Sequence, residues 1–295
     1  MCDYLGDMAS FEGFLRLVCG MEWRKKKRGF CFLVLTVMLG AALGRMEGRY
    51  VLAAEEGERR CLIQATSLEE DYRGAAKLGL LVTRRAVGGE VEEAFENVLC
   101  SCVRVKVEGH YGSGSIYKML EDEVIIVTNR HVLQYWNEDS YVTFFNGRAA
   151  EGTLIGVSEE ADLGFIGIPT AGFTYEELLT YRNIRVAQML ENEIASEKVP
   201  AEGSELFMVD IASKWNTPVM MEGQLISPLM YLEDFQTEML YAKGEAISGM
   251  SGGGVFDAYG NYLGMLTGAT LQNELAAVPA ETITKEYENI ISNKE

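Results

Sequence analysis

The chain has 295 residues, 48% of them hydrophobic, which is enough to bury the core of one large domain or two small ones. Its formal net charge of −18 at pH 7 argues against nucleic-acid binding, because a nucleic-acid-binding protein needs a basic face to neutralise phosphates. There are only two histidines, and the six cysteines form no Cys-x-x-Cys pair or His/Cys cluster, so the sequence predicts no metal site.

A basic run precedes an uncharged apolar segment near the N-terminus. The run is RKKKR at 24–28, and the apolar segment is FCFLVLTVMLGAAL at 30–43. This order is typical of a secretory signal or a signal anchor, with residues 1–28 in the cytoplasm and the later residues outside. We predict a membrane segment at 29–44 that anchors the chain in the cytoplasmic membrane as a single pass.

The apolar segment is shorter than the roughly 20 residues that span a bilayer, so cleavage near Ala42-Leu43-Gly44 followed by secretion is the alternative. A third interpretation, a buried helix of a soluble domain, leaves the basic run unexplained. Both membrane interpretations place the rest of the chain outside the cytoplasm.

Residues 45–98 are charged and weakly periodic, and we predict a stalk followed by a lead-in helix. Apolar residues recur at helical spacing between Val91 and Leu99, which favours a short amphipathic helix there. Cys61 could form a disulfide with Cys100 or Cys102 outside the cell. Equally, all three could stay reduced and pack as small apolar residues.

Residues 99–295 have the period of β-strands. Strict alternation at Val103–Val107 and a hairpin with an Asn-Gly turn after Phe145 favour short antiparallel strands, while Gly109–Gly114 is interpreted as a turn. The pattern predicts β-barrels or a sandwich, closed by a helix from Glu281 to Ile291. The other strands are predicted at residues 124–127, 141–145, 152–157, 163–168, 206–211, 220–226, 238–242, 253–256 and 262–267.

Glycines flank Ser251 on both sides in the sequence Gly249-Met-Ser251-Gly-Gly. Glycine permits a sharp backbone turn, so that the amides of Gly249 and Ser251 can point at one spot and hold the oxyanion of a tetrahedral intermediate. An ordinary Gly/Ser turn between strands is the alternative.

A serine nucleophile needs a base, and His131 follows directly on a strand that is predicted to be buried. Asp162 immediately precedes another apolar strand, where a partly buried carboxylate requires a partner. A ring N–H of His131 would satisfy it and would fix the tautomer that accepts the serine proton. Taken alone, each residue could equally be an ordinary loop side chain. Together they give the order His, Asp, Ser in a β-rich chain.

At this point the chain resembles the trypsin-like serine peptidases, and most closely their HtrA/DegP-type branch. The resemblance departs from the usual pattern at Met250, where Asn or Asp is common, at Gly254, where Pro is common, and at Gly164, where Ala is common. The resemblance extends from about Val103 to Ile291 and is carried by residues 112–116, 128–132, 141–168, 249–253 and 273–284.

The resemblance implies an all-β fold of two perpendicular six-stranded antiparallel barrels with the active site between them, followed by the C-terminal helix. It implies a serine endopeptidase that acts on polypeptides through an acyl-enzyme on Ser251, with His131 as general base and no cofactor. The chain after Ser251 is too short for the PDZ domain of many relatives. The sequence does not indicate an oligomeric state.

The substrate pocket is predicted to include Glu245 and Thr267. By ungapped counting, Glu245 falls where trypsin has its specificity aspartate, which would favour Lys or Arg at the cleaved position, but a surface acid on a loop is the alternative. Two other functions stay open. One is a catalytically silent, membrane-tethered module that binds peptides, and the other is a structural or adhesive surface protein, which would not need the His-Asp-Ser order.

Overall fold

The computed structural model describes residues 66–186, 200–212 and 217–294. The predicted cytoplasmic segment 1–28, the membrane segment 29–44 and Cys61 lie outside these ranges. Within them, no helix is long and apolar enough to cross a bilayer.

Residues 66–98 contain two helices, α1 at 66–77 and α2 at Val91–Val98. The second lies where the sequence predicts the lead-in helix. Tyr72 of α1 is fully buried and donates a hydrogen bond of 2.6 Å to the carbonyl of Leu120, while Ala94 and Val98 of α2 are also fully buried. This part of the region predicted as stalk and lead-in helix therefore packs against the β-sheets.

The first β-sheet has seven strands in the order β5-β4-β1-β2-β3-β7-β6, not the closed six-stranded barrel that the resemblance implies. Its end strands β5 and β6 follow each other in sequence and are separated only by Glu151 and Gly152. A Cβ on Gly152 would lie 2.7 Å from Ile166 Cγ2, so the chain can bend closely over β7 there. The chain itself, and not a ladder of hydrogen bonds between β5 and β6, therefore connects the two ends of this sheet. The strands are β1 (Cys102–Val107), β2 (His110–Met119), β3 (Glu123–Thr128), β4 (Tyr141–Phe144), β5 (Ala149–Ala150), β6 (Thr153–Val157) and β7 (Gly164–Pro169).

The second β-sheet is a closed barrel of six strands in the order β10-β13-β12-β11-β8-β9, and this half of the prediction is confirmed. A cluster of buried apolar side chains fills it, including Leu206, Leu240 and Leu266. The strands are β8 (Glu205–Asp210), β9 (Val219–Leu232), β10 (Thr237–Gly244), β11 (Gly254–Asp257), β12 (Tyr262–Ala269) and β13 (Glu274–Pro279).

The turn predicted at Gly109–Gly114 is wrong beyond Gly109, because β2 begins at His110. Glycine serves close packing here rather than a reversal of the chain. A Cβ on Gly112 would lie 2.9 Å from both methyl carbons of Val132, and a Cβ on Gly114 would lie 3.0 Å from the carbonyl oxygen of Val127.

Two short helices and the C-terminal helix complete the described part of the fold. Helix α3 (Arg130–Leu133) follows β3, and α4 (Tyr175–Leu178) follows β7 after one 3₁₀ turn. Helix α5 (Ala280–Ser292) agrees with the helix predicted at the end of the chain. It contacts β6 of the first sheet and β12 and β13 of the barrel, so it connects the two halves of the fold.

Candidate active site

His131 and Asp162 form a doubly hydrogen-bonded pair. His131 Nδ1 lies 2.6 Å from Asp162 Oδ2, and the backbone N–H of His131 donates to Asp162 Oδ1 over 2.9 Å. The pairing fixes where His131 points, because the carboxylate holds both its ring and its main chain. Since an ionised carboxylate accepts hydrogen bonds only, Nδ1 carries the proton and Nε2 of a neutral ring is left to act as a base.

The electrostatics of the pair favour the ionised carboxylate. Burial alone would raise the pKa of Asp162, but the hydrogen bonds from His131 outweigh burial and hold that pKa below its usual value. The side chain of Asp162 is 19% exposed, whereas that of His131 is 44% exposed. The acid is thus sheltered while the base remains open to a substrate.

One neighbouring side chain, that of Asn129, holds the backbone around this pair. The side-chain amide of Asn129, which is fully buried, donates 2.9 Å hydrogen bonds both to the carbonyl of Asp162 and to Thr267 Oγ1. Asn129 also stands at the N-cap position of α3, so it joins the base, the acid and the second barrel.

The loop that carries Ser251 is shaped by two glycines in the left-handed region, Gly249 with φ 98° and Gly252 with φ 89°. Ser113 anchors it from β2: its N–H donates 2.8 Å to the carbonyl of Ser251, and its hydroxyl donates 2.9 Å to the carbonyl of Gly249. Within residues 66–186, 200–212 and 217–294, the amides of Gly249 and Ser251 have no acceptor. These are the two donors that the sequence predicts for an oxyanion.

Strand β2 lies against both the loop of Ser251 and the helix that carries His131. A methyl group on Gly112 would touch both Val132, the neighbour of His131, and the carbonyl oxygen of Ser251. In the described part of the chain, no hydrogen bond joins Ser251 Oγ to His131, and no other group binds that hydroxyl. The serine hydroxyl can therefore rotate about its Cα–Cβ bond without breaking a hydrogen bond.

A sequence profile of the trypsin-like peptidase domain matches residues 100–265, more than half of the chain. The chain belongs to the trypsin-like peptidase family. A comparison with curated protein sequences finds no match.

Solved structures of other proteins share the fold of this peptidase domain. The inactive form of Rv3671c from M. tuberculosis, a mutant, is 12% identical with a TM-score of 0.55 and covers 72% of this chain and 98% of its own. The active form of the same protein, described as a protease, is 14% identical with a TM-score of 0.54 and covers 71% of this chain and 88% of its own. At this identity the similarity establishes the fold alone.

At each of the three positions that depart from the family pattern, the neighbouring side chains suit the residue that is present. A Cβ on Gly164 would lie 2.6 Å from Leu133 Cδ1, and a Cβ on Gly254 would overlap the ring of Phe256. Met250 is 1% exposed and packs among the apolar side chains of the barrel, with its sulfur accepting the N–H of Ile247 at 3.3 Å. The loop that carries Ser251 is thus held by apolar packing at Met250.

The two residues predicted for the substrate pocket lie in different surroundings. Thr267 is buried and its hydroxyl is bonded inside the protein, to Asn129 and to the carbonyl of Met265. Glu245 is exposed and lines a groove of about 830 Å³ at one end of the barrel, together with Glu205 and Glu222. The specificity role of Glu245 stays a prediction.

Ser113 and Asn129 also belong to the site, although neither was predicted from the sequence. Both lie inside motifs that carry the family resemblance, at residues 112–116 and 128–132, but their partners are distant in sequence and are shown only by the fold. In the described ranges no three His, Cys, Asp or Glu side chains are placed to hold a metal ion, and Cys100 and Cys102 form no disulfide. Burial raises the pKa of the Cys102 thiol to about 12, so this thiol is unreactive.

Proposed function

We propose that this peptidase is a catalytically active serine endopeptidase, with Ser251 as nucleophile, His131 as general base and Asp162 as the orienting acid. The observation that carries the proposal is the pair of hydrogen bonds from His131 to Asp162, which leaves Nε2 as the acceptor on an exposed ring. The two unused amides beside Ser251 supply the complementary oxyanion site.

In the first half of the reaction, Nε2 of His131 takes the proton of Ser251, and Oγ bonds to the carbonyl carbon of the substrate peptide. The amides of Gly249 and Ser251 bind the resulting oxyanion, and Asp162 stabilises the imidazolium. Collapse of this intermediate breaks the C–N bond while His131 gives its proton to the leaving amine. Water then repeats the sequence on the acyl-enzyme and releases Ser251. Every proton transfer uses groups of this chain, the substrate or water.

Replacing Ser251 by Ala tests the proposal, with Ser248→Ala as the matched control because Ser248 is an exposed serine of the same loop. We expect Ser251→Ala to lower kcat by a factor on the order of 10⁶ and to abolish labelling by a fluorophosphonate, while the control hydrolyses and labels like the wild type. A wild-type protein that binds peptides but neither cleaves nor labels would support the silent binding module instead.

We also propose that the peptidase domain works outside the cytoplasmic membrane, anchored through residues 29–44. The support is the basic run followed by the uncharged apolar segment. Protease accessibility of the domain in intact spheroplasts tests the side of the membrane. N-terminal sequencing separates an anchor from a cleaved signal, since a mature chain that starts near Arg45 would contradict the anchor.

The proposed specificity of the site for Lys or Arg rests on Glu245 alone. Peptides that differ only at the cleaved position test it, with Arg compared against Val. Equal kcat/KM values for the two peptides would assign Glu245 to the exposed groove and leave the pocket to other residues.

A further inference from the structure

The turn that leads into Asp162 is organised by one buried hydroxyl, that of Ser158. Ser158 Oγ accepts the backbone N–H groups of Glu160 at 3.1 Å and Ala161 at 3.0 Å, and it donates its proton to Glu286 Oε2 over 2.5 Å. A serine hydroxyl offers one donor and two lone pairs, so all of its hydrogen-bonding capacity is used. The direction of its O–H bond is set by Glu286, which in turn fixes the directions of the two lone pairs that hold the turn.

Glu286 lies on α5, distant in sequence from this turn, and is only 5% exposed. Its second carboxylate oxygen accepts the amide of Asn289 at 3.0 Å. Across the described ranges, no lysine or arginine forms an ion pair with it. Both oxygens of Glu286 are therefore held by hydrogen bonds from side chains, one of which belongs to the turn before Asp162.

The same turn is held from the other side by Arg130, the neighbour of His131. Its guanidinium donates to the carbonyl of Ser158 at 2.7 Å and to that of Glu159 at 3.2 Å. The backbone N–H of Ser158 also bonds to the carbonyl of Leu163 at 2.9 Å, which closes the loop around Asp162. The turn before Asp162 therefore bonds on one side to α3, which carries His131, and on the other side to α5, which carries Glu286.

We propose that Glu286 is a positioning residue: through Ser158, the C-terminal helix fixes the turn that aims Asp162 at His131. The inference rests on the proposed peptidase function. Glu286 touches neither the reacting atoms nor His131, and it acts only by restricting where the carboxylate of Asp162 can lie. A misplacement of about 1 Å in such a group can cost on the order of 10²-fold in rate.

The test compares four single variants of the full chain, and the double variant Glu286→Ala/Ser158→Ala, in hydrolysis of a fluorescence-quenched protein substrate. Glu286→Ala and Ser158→Ala remove the contact from either side, and Glu286→Gln keeps an oxygen that accepts the Ser158 proton. Glu288→Ala is the matched control, because Glu288 is an exposed glutamate on the same helix. Thermal unfolding is measured for each variant, and kinetics are recorded well below its Tm.

We expect Glu286→Ala and Ser158→Ala each to lower kcat by about 10- to 100-fold with KM within about twofold, because substrate contacts are untouched. The double variant should be no slower than the slower single variant, since both break one contact. Glu286→Gln should restore kcat to within about threefold of the wild type, and Glu288→Ala should match it. If Glu286 served stability alone, its replacement would change Tm but would not lower kcat at an unchanged KM.

Each outcome decides between the proposals. If the wild type neither hydrolyses the substrate nor reacts with a fluorophosphonate, the proposed function fails and the inference falls with it. If the wild type is active and a folded Ser158→Ala variant keeps the wild-type kcat, the positioning role is overturned while the peptidase function stands. Should Glu286→Ala fail to fold, Ser158→Ala decides alone, because it removes a single oxygen atom.

Discussion

The two halves of the candidate site are held in different ways. On the first sheet, Asp162 and His131 are held by polar contacts of 2.6–3.2 Å. The two residues bond to each other, while the amide of Asn129 and the guanidinium of Arg130 donate to backbone carbonyls at Asp162 and in the turn before it. In the second barrel, the loop of Ser251 is held by backbone hydrogen bonds, two left-handed glycines and the buried side chain of Met250.

This difference predicts which kind of substitution disturbs each half of the site. The acid–base half depends on particular donors and acceptors, so removing one polar atom should disturb it. The half that carries Ser251 depends on close packing. Adding one carbon atom to a glycine, or placing a polar group in the apolar cluster, should therefore disturb it. The predictions below test this contrast, beginning with the largest effect.

Among the tests of this contrast, the largest effect is expected for Asp162→Asn. The asparagine amide can present an N–H to Nδ1 and so stabilise the tautomer whose proton is on Nε2, where the base must be unprotonated. We expect kcat to fall by about 10⁴-fold with the fold intact. The measurement is kcat on the quenched protein substrate together with circular dichroism. Asp234→Asn is the control, because Asp234 is exposed and lines the cavity of about 180 Å³ behind Asp162.

The nucleophile half should respond most strongly to Gly252→Ala. The new Cβ would overlap the carbonyl oxygen of Ser113 and the hydroxyl of Thr128, and alanine would also have to adopt a φ of 89°. Strain and overpacking together predict a loss of about 3–5 kcal/mol in unfolding free energy.

Urea unfolding measures this loss, and Gly203→Ala separates its two causes. Gly203 has a φ of 84° with open space around its Cβ position, so that variant should lose only about 1 kcal/mol from backbone strain. Equal losses in the two variants would contradict the steric explanation.

The contrast also explains which features could be predicted from the sequence. Strands with alternating or wholly apolar residues were found because the local pattern carries them. The pairing of His131 with Asp162 was predicted on other grounds, namely the order of the three residues and the need of a partly buried carboxylate for a partner. Strand β2 was partly missed because Gly112 and Gly114 were interpreted as turn residues, and only the nearby Val132 and Val127 show why glycine is required. The contact between Ser158 and Glu286 joins residues far apart in the sequence, so no local pattern could indicate it. The bend at Gly152 between β5 and β6 is likewise evident only from its close approach to Ile166.

A smaller effect is expected for Met250→Asn, which restores a residue that is common in the family. Here the amide would enter an apolar cluster, leave a cavity and lack partners, so we expect a loss of about 2–3 kcal/mol in unfolding free energy. Met250→Leu, which keeps apolar volume, should lose less than about 1.5 kcal/mol. If the asparagine variant proves as stable as the leucine variant, the loop is not held by apolar packing.

The smallest effect is the pH dependence of stability that Asp162 contributes. Its pKa is lower in the folded protein than in the unfolded chain, so its ionised form stabilises the fold above the ordinary carboxyl value of about 3.9. That contribution is lost as the pH falls through the lower, folded pKa, because the unfolded chain binds its proton first. The difference in unfolding free energy between the wild type and Asp162→Asn should therefore shrink as the pH falls below about 4. Chemical denaturation at a series of pH values measures it. A difference that stays the same down to pH 3 would mean that packing, and not the charge on Asp162, sets the stability of the acid–base half.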